Sequence, residues 1–217
     1  MLFNTTQTMS IDAYLSPELE SRLQTLLASG QRRLLGLVGP PGAGKSTLAE
    51  RLLDRLGSRA QLVPMDGFHL AQVELERLGR AHRKGAPDTF DAHGYVQLLN
   101  RLRQQAPDEV IYAPAFRREI EEPVAGSIAV QPQTQLIITE GNYLLLDAFP
   151  WNRVAACLDE VWYVSVDEQL RRQRLVERHV RFGRTPQAAL AWVEQTDEPN
   201  ARLIEQCRPR AHAVCSL

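Results

Sequence analysis

The chain has 217 residues, of which 44% are hydrophobic and 24% charged, a soluble globular balance that excludes a disordered or fibrous polymer and fits one well-buried domain. Its 25 basic and 26 acidic residues leave a net charge of -1, which provides no global field for nucleic acid or an anionic membrane surface. No apolar run approaches the roughly 20 residues that span a bilayer, and Cys157, Cys207 and Cys215 lack the paired spacing of a zinc site or disulfide framework, so a cytoplasmic protein is expected.

The first stretch, MLFNTTQTMSIDAYLSPELE, has no basic region followed by an apolar core, and no leader is expected there. Ser16 followed by Pro17 opens a helix, Leu19, Leu23, Leu26 and Leu27 recur at helical spacing, and Gly30 closes it, which predicts a helix over 16–29. RLLGLV then reads as a buried strand from Arg33 to Val38, and Leu48, Leu52, Leu53 and Leu56 form the apolar face of a helix starting near Lys45.

Between that strand and helix lies GPPGAGKST, the residues Gly39, Pro40, Pro41, Gly42, Ala43, Gly44, Lys45, Ser46 and Thr47. The spacing is that of a Walker A loop in the strand–loop–helix context it requires. Small residues let backbone N–H groups approach phosphate oxygens, and the helix N-terminus adds positive potential. Lys45 is expected to reach the terminal phosphates and the Ser46 hydroxyl to help hold Mg2+. A GTPase switch carries a guanine-reading Asn-Lys-x-Asp segment; the chain has none, which points to ATP.

Further along, QLVPM reads as a strand delivering Asp66, QLIITEG as one delivering Glu140, and EVWYVSV as one ending near Asp167, with HAVCSL a candidate last strand. Alternation with helices predicts a mostly parallel sheet covered on both faces, and groups at the strands' carboxyl ends converge on one crevice. Asp66 is placed to accept a hydroxyl proton or to bind metal through water. Tyr95, Leu98, Leu99 and Leu102 mark a helix for which Asp91 is a fair N-cap. The segment 108–132, with prolines and short β-prone runs, reads as a small β insertion over the strand ends.

In DEQLRRQRLVERHVRFGRT, Arg171, Arg174, Arg178 and Arg181 recur at helical intervals, with Gly183 and Thr185-Pro186 marking a break and a restart. Beside a Walker loop this predicts an Arg-rich helical lid over 168–185, in which Arg174 and Arg178 contact ATP phosphates; a solvated cationic face is the ordinary alternative.

GPPGAGKST, MDGFH, RKGAPDTFD, YAPAF and ITEGNYLLL stand in the order found in P-loop small-molecule kinases of the uridine kinase and pantothenate kinase branch. The chain resembles that branch from about Arg33 onward, and most of all the bacterial subgroup labelled fructose transport system kinase or nucleoside kinase-like. The resemblance implies an α/β P-loop NTPase three-layer sandwich, single over 1–217, that uses ATP and Mg2+ to phosphorylate a small hydroxyl-bearing acceptor such as a nucleoside, pantothenate or sugar. It implies Asp66 as the catalytic carboxylate and Glu140 as an acid that organises Mg2+, and it puts Lys84, Asp88 and Asp91 on the acceptor side. His69 and Arg117 are further candidates for contact with the acceptor, Arg117 for an anionic one, whereas Phe68 reads as packing. Homodimerisation is also expected from the resemblance. Two other readings of the same loop stay open: a nucleotide-dependent switch or assembly ATPase, and a binding module without turnover.

Overall fold

A computed structural model describes residues 15–217; most of the stretch read above as lacking a leader lies outside the described residues. Strands β1 (Arg33–Val38), β2 (Ala60–Leu62), β5 (Leu136–Gly141), β6 (Glu160–Ser165) and β7 (Ala213–Ser216) form one sheet in the order β2-β5-β1-β6-β7. Every pairing in it is parallel. Such strands are buried on both faces and therefore read as continuous apolar runs. Leu34, Val38, Ile137, Val161 and Tyr163 point into one core, while Leu35, Leu37, Ile138, Trp162 and Val164 point into the other.

Helices α1 (Pro17–Ala28) and α2 (Lys45–Leu56) cover the second face through Leu19, Leu23, Leu48 and Leu52. The α1 start follows its sequence signal: the Ser16 hydroxyl accepts from Leu19 N at 3.3 Å, with Pro17 in the first turn. Helix α4 (Ala92–Arg103) covers the opposite face with Tyr95, Leu99 and Leu102. The result is helices on both sides of a parallel sheet, and fully burying each of these leucines contributes about 1.5–3 kcal/mol.

The predicted second strand is shorter than QLVPM suggests. Val63 N still reaches Ile138 O at 2.8 Å, but Pro64 has no N–H to extend the ladder, and Met65–Phe68 turns into a 3-10 helix. Asp66 consequently sits in a tight turn just past the strand. A buried hydrogen-bond chain anchors this corner: Tyr95 OH meets Thr139 Oγ1 at 2.6 Å, and that hydroxyl donates to Val63 O at 2.6 Å. Beyond the turn comes the short helix α3 (Gln72–Arg77).

The insertion is an antiparallel hairpin, β3 (Ile111–Arg117) and β4 (Glu122–Val130), separate from the main sheet and bulged between Ala113 and Ala115. The arginine run forms α5 (Glu168–Arg181), capped by the Asp167 side chain on Leu170 N. After Gly183, at φ 96°, the chain continues through α6 (Pro186–Trp192), a π-helical turn Val193–Asp197, and α7 (Glu198–Glu205).

Candidate active site

The β1–β5 register sets Leu37 beside Glu140 and Val38 beside Gly141, so the glycine loop and the end of β5 open onto the same crevice. Gly44, at φ 94°, takes a left-handed conformation that a side chain would strain, and it starts α2 without a side-chain cap. The first N–H groups of α2 are thereby left for an anion. Lys45 folds back under the loop, where its Nζ donates to Gly39 O at 2.8 Å, Pro40 O at 3.1 Å and Asn142 Oδ1 at 2.7 Å. Burial draws its ammonium down to about 8, against the attraction of Glu140 and Asp66.

Ser46 Oγ donates to Glu140 Oε1 at 3.0 Å. Burial, reinforced by the Asp66 charge, raises the Glu140 pKa, while Lys45 and the Ser46 bond act against it. A half-buried carboxylate held beside a hydroxyl at the loop's edge fits a hard cation. Among the described residues no cluster of three or more His, Cys, Asp or Glu side chains could hold a metal by itself, which suits Mg2+ bound through one or two protein oxygens with phosphate and water completing the shell.

These groups line a cavity of about 990 Å3 with Thr47, Asp66, His69 and Lys84. On its far side Arg118, the first residue of the hairpin turn, donates to Asp66 Oδ2 at 3.4 Å. His69 Nδ1 lies 2.8 Å from Asp66 O, and its ring sits at a tilt between Phe90, with centroids 4.0 Å apart, and Phe116 at 4.6 Å; burial lowers its pKa, which favours the neutral imidazole. The loop that carries Lys84 is tied to the core by Tyr143 OH on Gly85 O and by Trp151 Nε1 on Pro87 O at 3.0 Å. Arg174 and Arg178 of α5 reach the cavity, as do Arg184 and Trp192, with the guanidinium of Arg184 3.9 Å above the indole. His179 Nε2 meets Asp197 Oδ2 at 2.7 Å beside them.

The AAA domain family (AAA_33) matches residues 34–199, most of the chain and all of the elements that build this crevice. The chain belongs to this family of P-loop kinase domains. A Schizosaccharomyces pombe protein named "Putative uridine kinase C227.14" is 37% identical over 200 residues, 87% of this chain and 85% of its own length. The crystal structure of a "putative fructose transport system kinase" from Silicibacter sp. TM1040 superposes with a TM-score of 0.81 at 37% identity, covering 95% of this chain and 98% of the other. YFH7 of Saccharomyces cerevisiae, at 19% identity and a TM-score of 0.78 over 96% and 99% of the two chains, shares the fold.

In this P-loop kinase the loop residues Pro41, Gly42, Gly44, Lys45, Ser46 and Thr47 face the cavity; Gly39 and Pro40 contribute carbonyls to Lys45, and Ala43 is buried beneath. Asp66, Glu140, His69, Lys84, Arg174 and Arg178 converge on the same space. Phe68 packs on Tyr95 with ring centroids 5.2 Å apart. Three expected acceptor-side residues are elsewhere. Asp88 is held in ion pairs with Arg80 and Arg83 and does not line the cavity. Asp91 caps α4 through Oδ1 to Gly94 N at 2.8 Å and does not line the cavity. Arg117 is exposed in the last β3 position opposite Glu122; strand alternation turns it away and brings Phe116 and Arg118 inward.

The arginine stripe also divides. Arg171 is buried in an ion pair with Glu198 at 2.6 Å, locking α5 to α7, and Arg181 is exposed outside the cavity, which leaves Arg174 and Arg178 facing it. Sequence reading missed Asn142, two residues after Glu140 in ITEGNY, and the Arg184–Trp192 stack. Only the spacing of Asn142 gave a usable signal, since its side chain follows Glu140 onto the same side of the loop.

Proposed function

We propose that this kinase transfers the γ-phosphoryl group of ATP to a hydroxyl of a small acceptor. The observation that carries the reading is that Lys45, Ser46, Glu140 and Asp66 line a single cavity. Lys45 and the amides of the glycine loop hold the phosphates; on arrival of the triphosphate, Lys45 exchanges its carbonyl partners for phosphate oxygens. Ser46 and Glu140 hold Mg2+, which offsets negative charge on the phosphates when bound. Asp66 accepts a hydrogen bond from the acceptor hydroxyl, orients it in line with the γ-phosphorus, and takes its proton as the new P–O bond forms and the bond to ADP breaks. Arg178 and Arg174 then face charge developing on the transferred group.

The cavity volume of about 990 Å3 suits a nucleotide with a small second molecule. No described helix is long and apolar enough to cross a membrane, and the balanced net charge of -1 favours a small-molecule partner over nucleic acid. A cytoplasmic location and a homodimer complete the reading. The test is ADP formation from ATP and Mg2+ across a panel of hydroxyl metabolites, with mass detection of the product. Asp66→Asn is expected to keep ATP binding and to lower turnover by about 10²–10⁴. Hydrolysis that depends on a protein partner and yields no phosphorylated small molecule would favour the switch or assembly ATPase.

A further inference from the structure

Two cations in the acceptor half of the cavity, Lys84 and Arg118, are not tightly paired with its carboxylates Asp66 and Glu121. Lys84 Nζ donates to the main-chain carbonyl of Glu121 at 2.6 Å and to the Gln72 amide oxygen at 3.5 Å, both neutral partners. Among the described residues no carboxylate lies within ion-pair distance of it. Its Nζ stands 5.6 Å from the centroid of the Phe116 ring, and Arg118 Cζ stands 5.7 Å from the same centroid. Two cations thus flank one aromatic face that also lines the cavity.

The pairing of Arg118 with Asp66 is loose: 3.4 Å, with side chains 44% and 31% exposed. A planar guanidinium has five donors in a fixed fork, so Arg118 can turn to a second oxyanion without leaving the neighbourhood of Asp66. An uncharged acceptor seated here would displace water from Lys84 and Arg118 and leave Lys84 with neutral partners alone and Arg118 with one long contact to Asp66, a costly arrangement for two cations.

We infer, on the basis of the phosphotransferase reading above, that the acceptor is an anion, a compact alcohol bearing a carboxylate or phosphate monoester a few bonds from its reacting hydroxyl, held by Arg118 and Lys84. The anion bridges the two cations, the His69 and Phe116 rings cover the intervening carbons, and the hydroxyl falls at Asp66. Arg118 has a second effect. Before the acceptor arrives it occupies Asp66, and the acceptor's own anion draws it away, so the carboxylate is freed only when an acceptor of this class is present.

The test measures kcat and KM for ATP- and Mg2+-dependent ADP release on a matched panel: short hydroxy acids, their primary amides, phosphate monoesters of small diols, the free diols, neutral hexoses and nucleosides. An acid or a phosphate monoester is expected to be turned over with a KM at least about tenfold below that of its uncharged counterpart, and the two anionic arms distinguish carboxylate from phosphate. Arg118→Gln and Lys84→Gln are each expected to raise KM for the anion by about 10- to 100-fold and to collapse the anion-to-neutral ratio of kcat/KM toward one. A neutral hexose or nucleoside preferred over every anion overturns the anionic class and leaves the phosphotransferase reading standing. Equal losses on anion and neutral analogue in both variants overturn the role of the two cations. Absence of a phosphorylated product in every arm overturns both readings.

Discussion

Ser46 Oγ donates to Glu140 Oε1 at 3.0 Å, joining the first turn of α2 to the end of β5. The bond lets a hydroxyl and a half-buried carboxylate share one place beside the glycine loop. Removing either partner should weaken Mg2+ use before it weakens nucleotide binding. Ser46→Ala and Glu140→Gln are expected to lower kcat/KM by roughly 10- to 100-fold and to raise the Mg2+ concentration for half-maximal rate. A Mg2+ titration at saturating ATP reads the shift, and an unchanged midpoint in both variants would remove this pair from the metal site.

Lys45 gives a pH signature. Burial brings its ammonium from 10.5 down to about 8, so the charge that phosphate requires is full below pH 8 and lost as pH rises through it. Triphosphate restores the charge, and ATP binding above pH 8 therefore takes up a proton and weakens by up to about tenfold per pH unit. Folding stability runs oppositely: an unfolded lysine stays protonated to about 10.5, so the unfolded state binds more protons between the two values and stability rises with pH there. Calorimetry near pH 9 in buffers of different ionisation enthalpy should detect the proton with the parent and not with Lys45→Met.

Gly67 is pressed against β3. A Cβ at that position would lie 2.3 Å from Pro114 O, a backbone atom that cannot swing aside. Gly67→Ala is expected to push the hairpin from the Asp66 turn, at a cost on the order of 1–3 kcal/mol and with a larger loss in kcat/KM than in ATP affinity. Denaturant melts and nucleotide titrations separate the two effects; equal losses would mean that the displacement reaches the glycine loop.

Asp91 has a cap's work to do. Asp91→Ala is expected to remove about 1 kcal/mol and to lower Tm by roughly 2–4 °C, leaving KM for the acceptor within experimental error. A clear rise in KM at unchanged Tm would return Asp91 to the acceptor site.

Arg178 is half-buried, with Asp66 and Glu140 among the charges that act on it, whereas Arg181 one turn on is exposed. Arg178→Gln is expected to lower kcat by about 10³; Arg181→Gln should change it less than twofold. Single-turnover kinetics keeps product release out of the comparison.

Much of this was legible in the sequence because its signals are local. The glycine loop, the Ser16-Pro17 start of α1 and the β1, β5 and β6 runs each carry their own pattern over a few residues, and parallel pairing with two buried faces explains why those runs are uninterrupted. The site was less legible where it depends on which way a side chain turns. Arg117 and Arg118 are chemically identical neighbours, and only the pairing of Arg117 with Glu122 fixes the alternation that brings Arg118 inside. Arg171 shares the spacing of Arg174 and Arg178, yet its direction is decided by Glu198, 27 positions away and in another helix. Asp66 reads from the sequence as the end of a strand, whereas Pro64 ends that strand early and leaves Asp66 in the 3-10 turn beyond it.

The hairpin shares no strand with the main sheet. Its turn carries Arg118, and its strand carries Phe116, while the donor apparatus rides on α2 and β5. On the acceptor reading proposed above, part of the recognition chemistry can be exchanged on a hairpin of different sequence, joined at the same two points, without moving a single rung of the parallel ladder. Lys84 and His69 would stay behind on the loops that carry them, and any replacement hairpin would still have to seat against Gly67 beside Asp66.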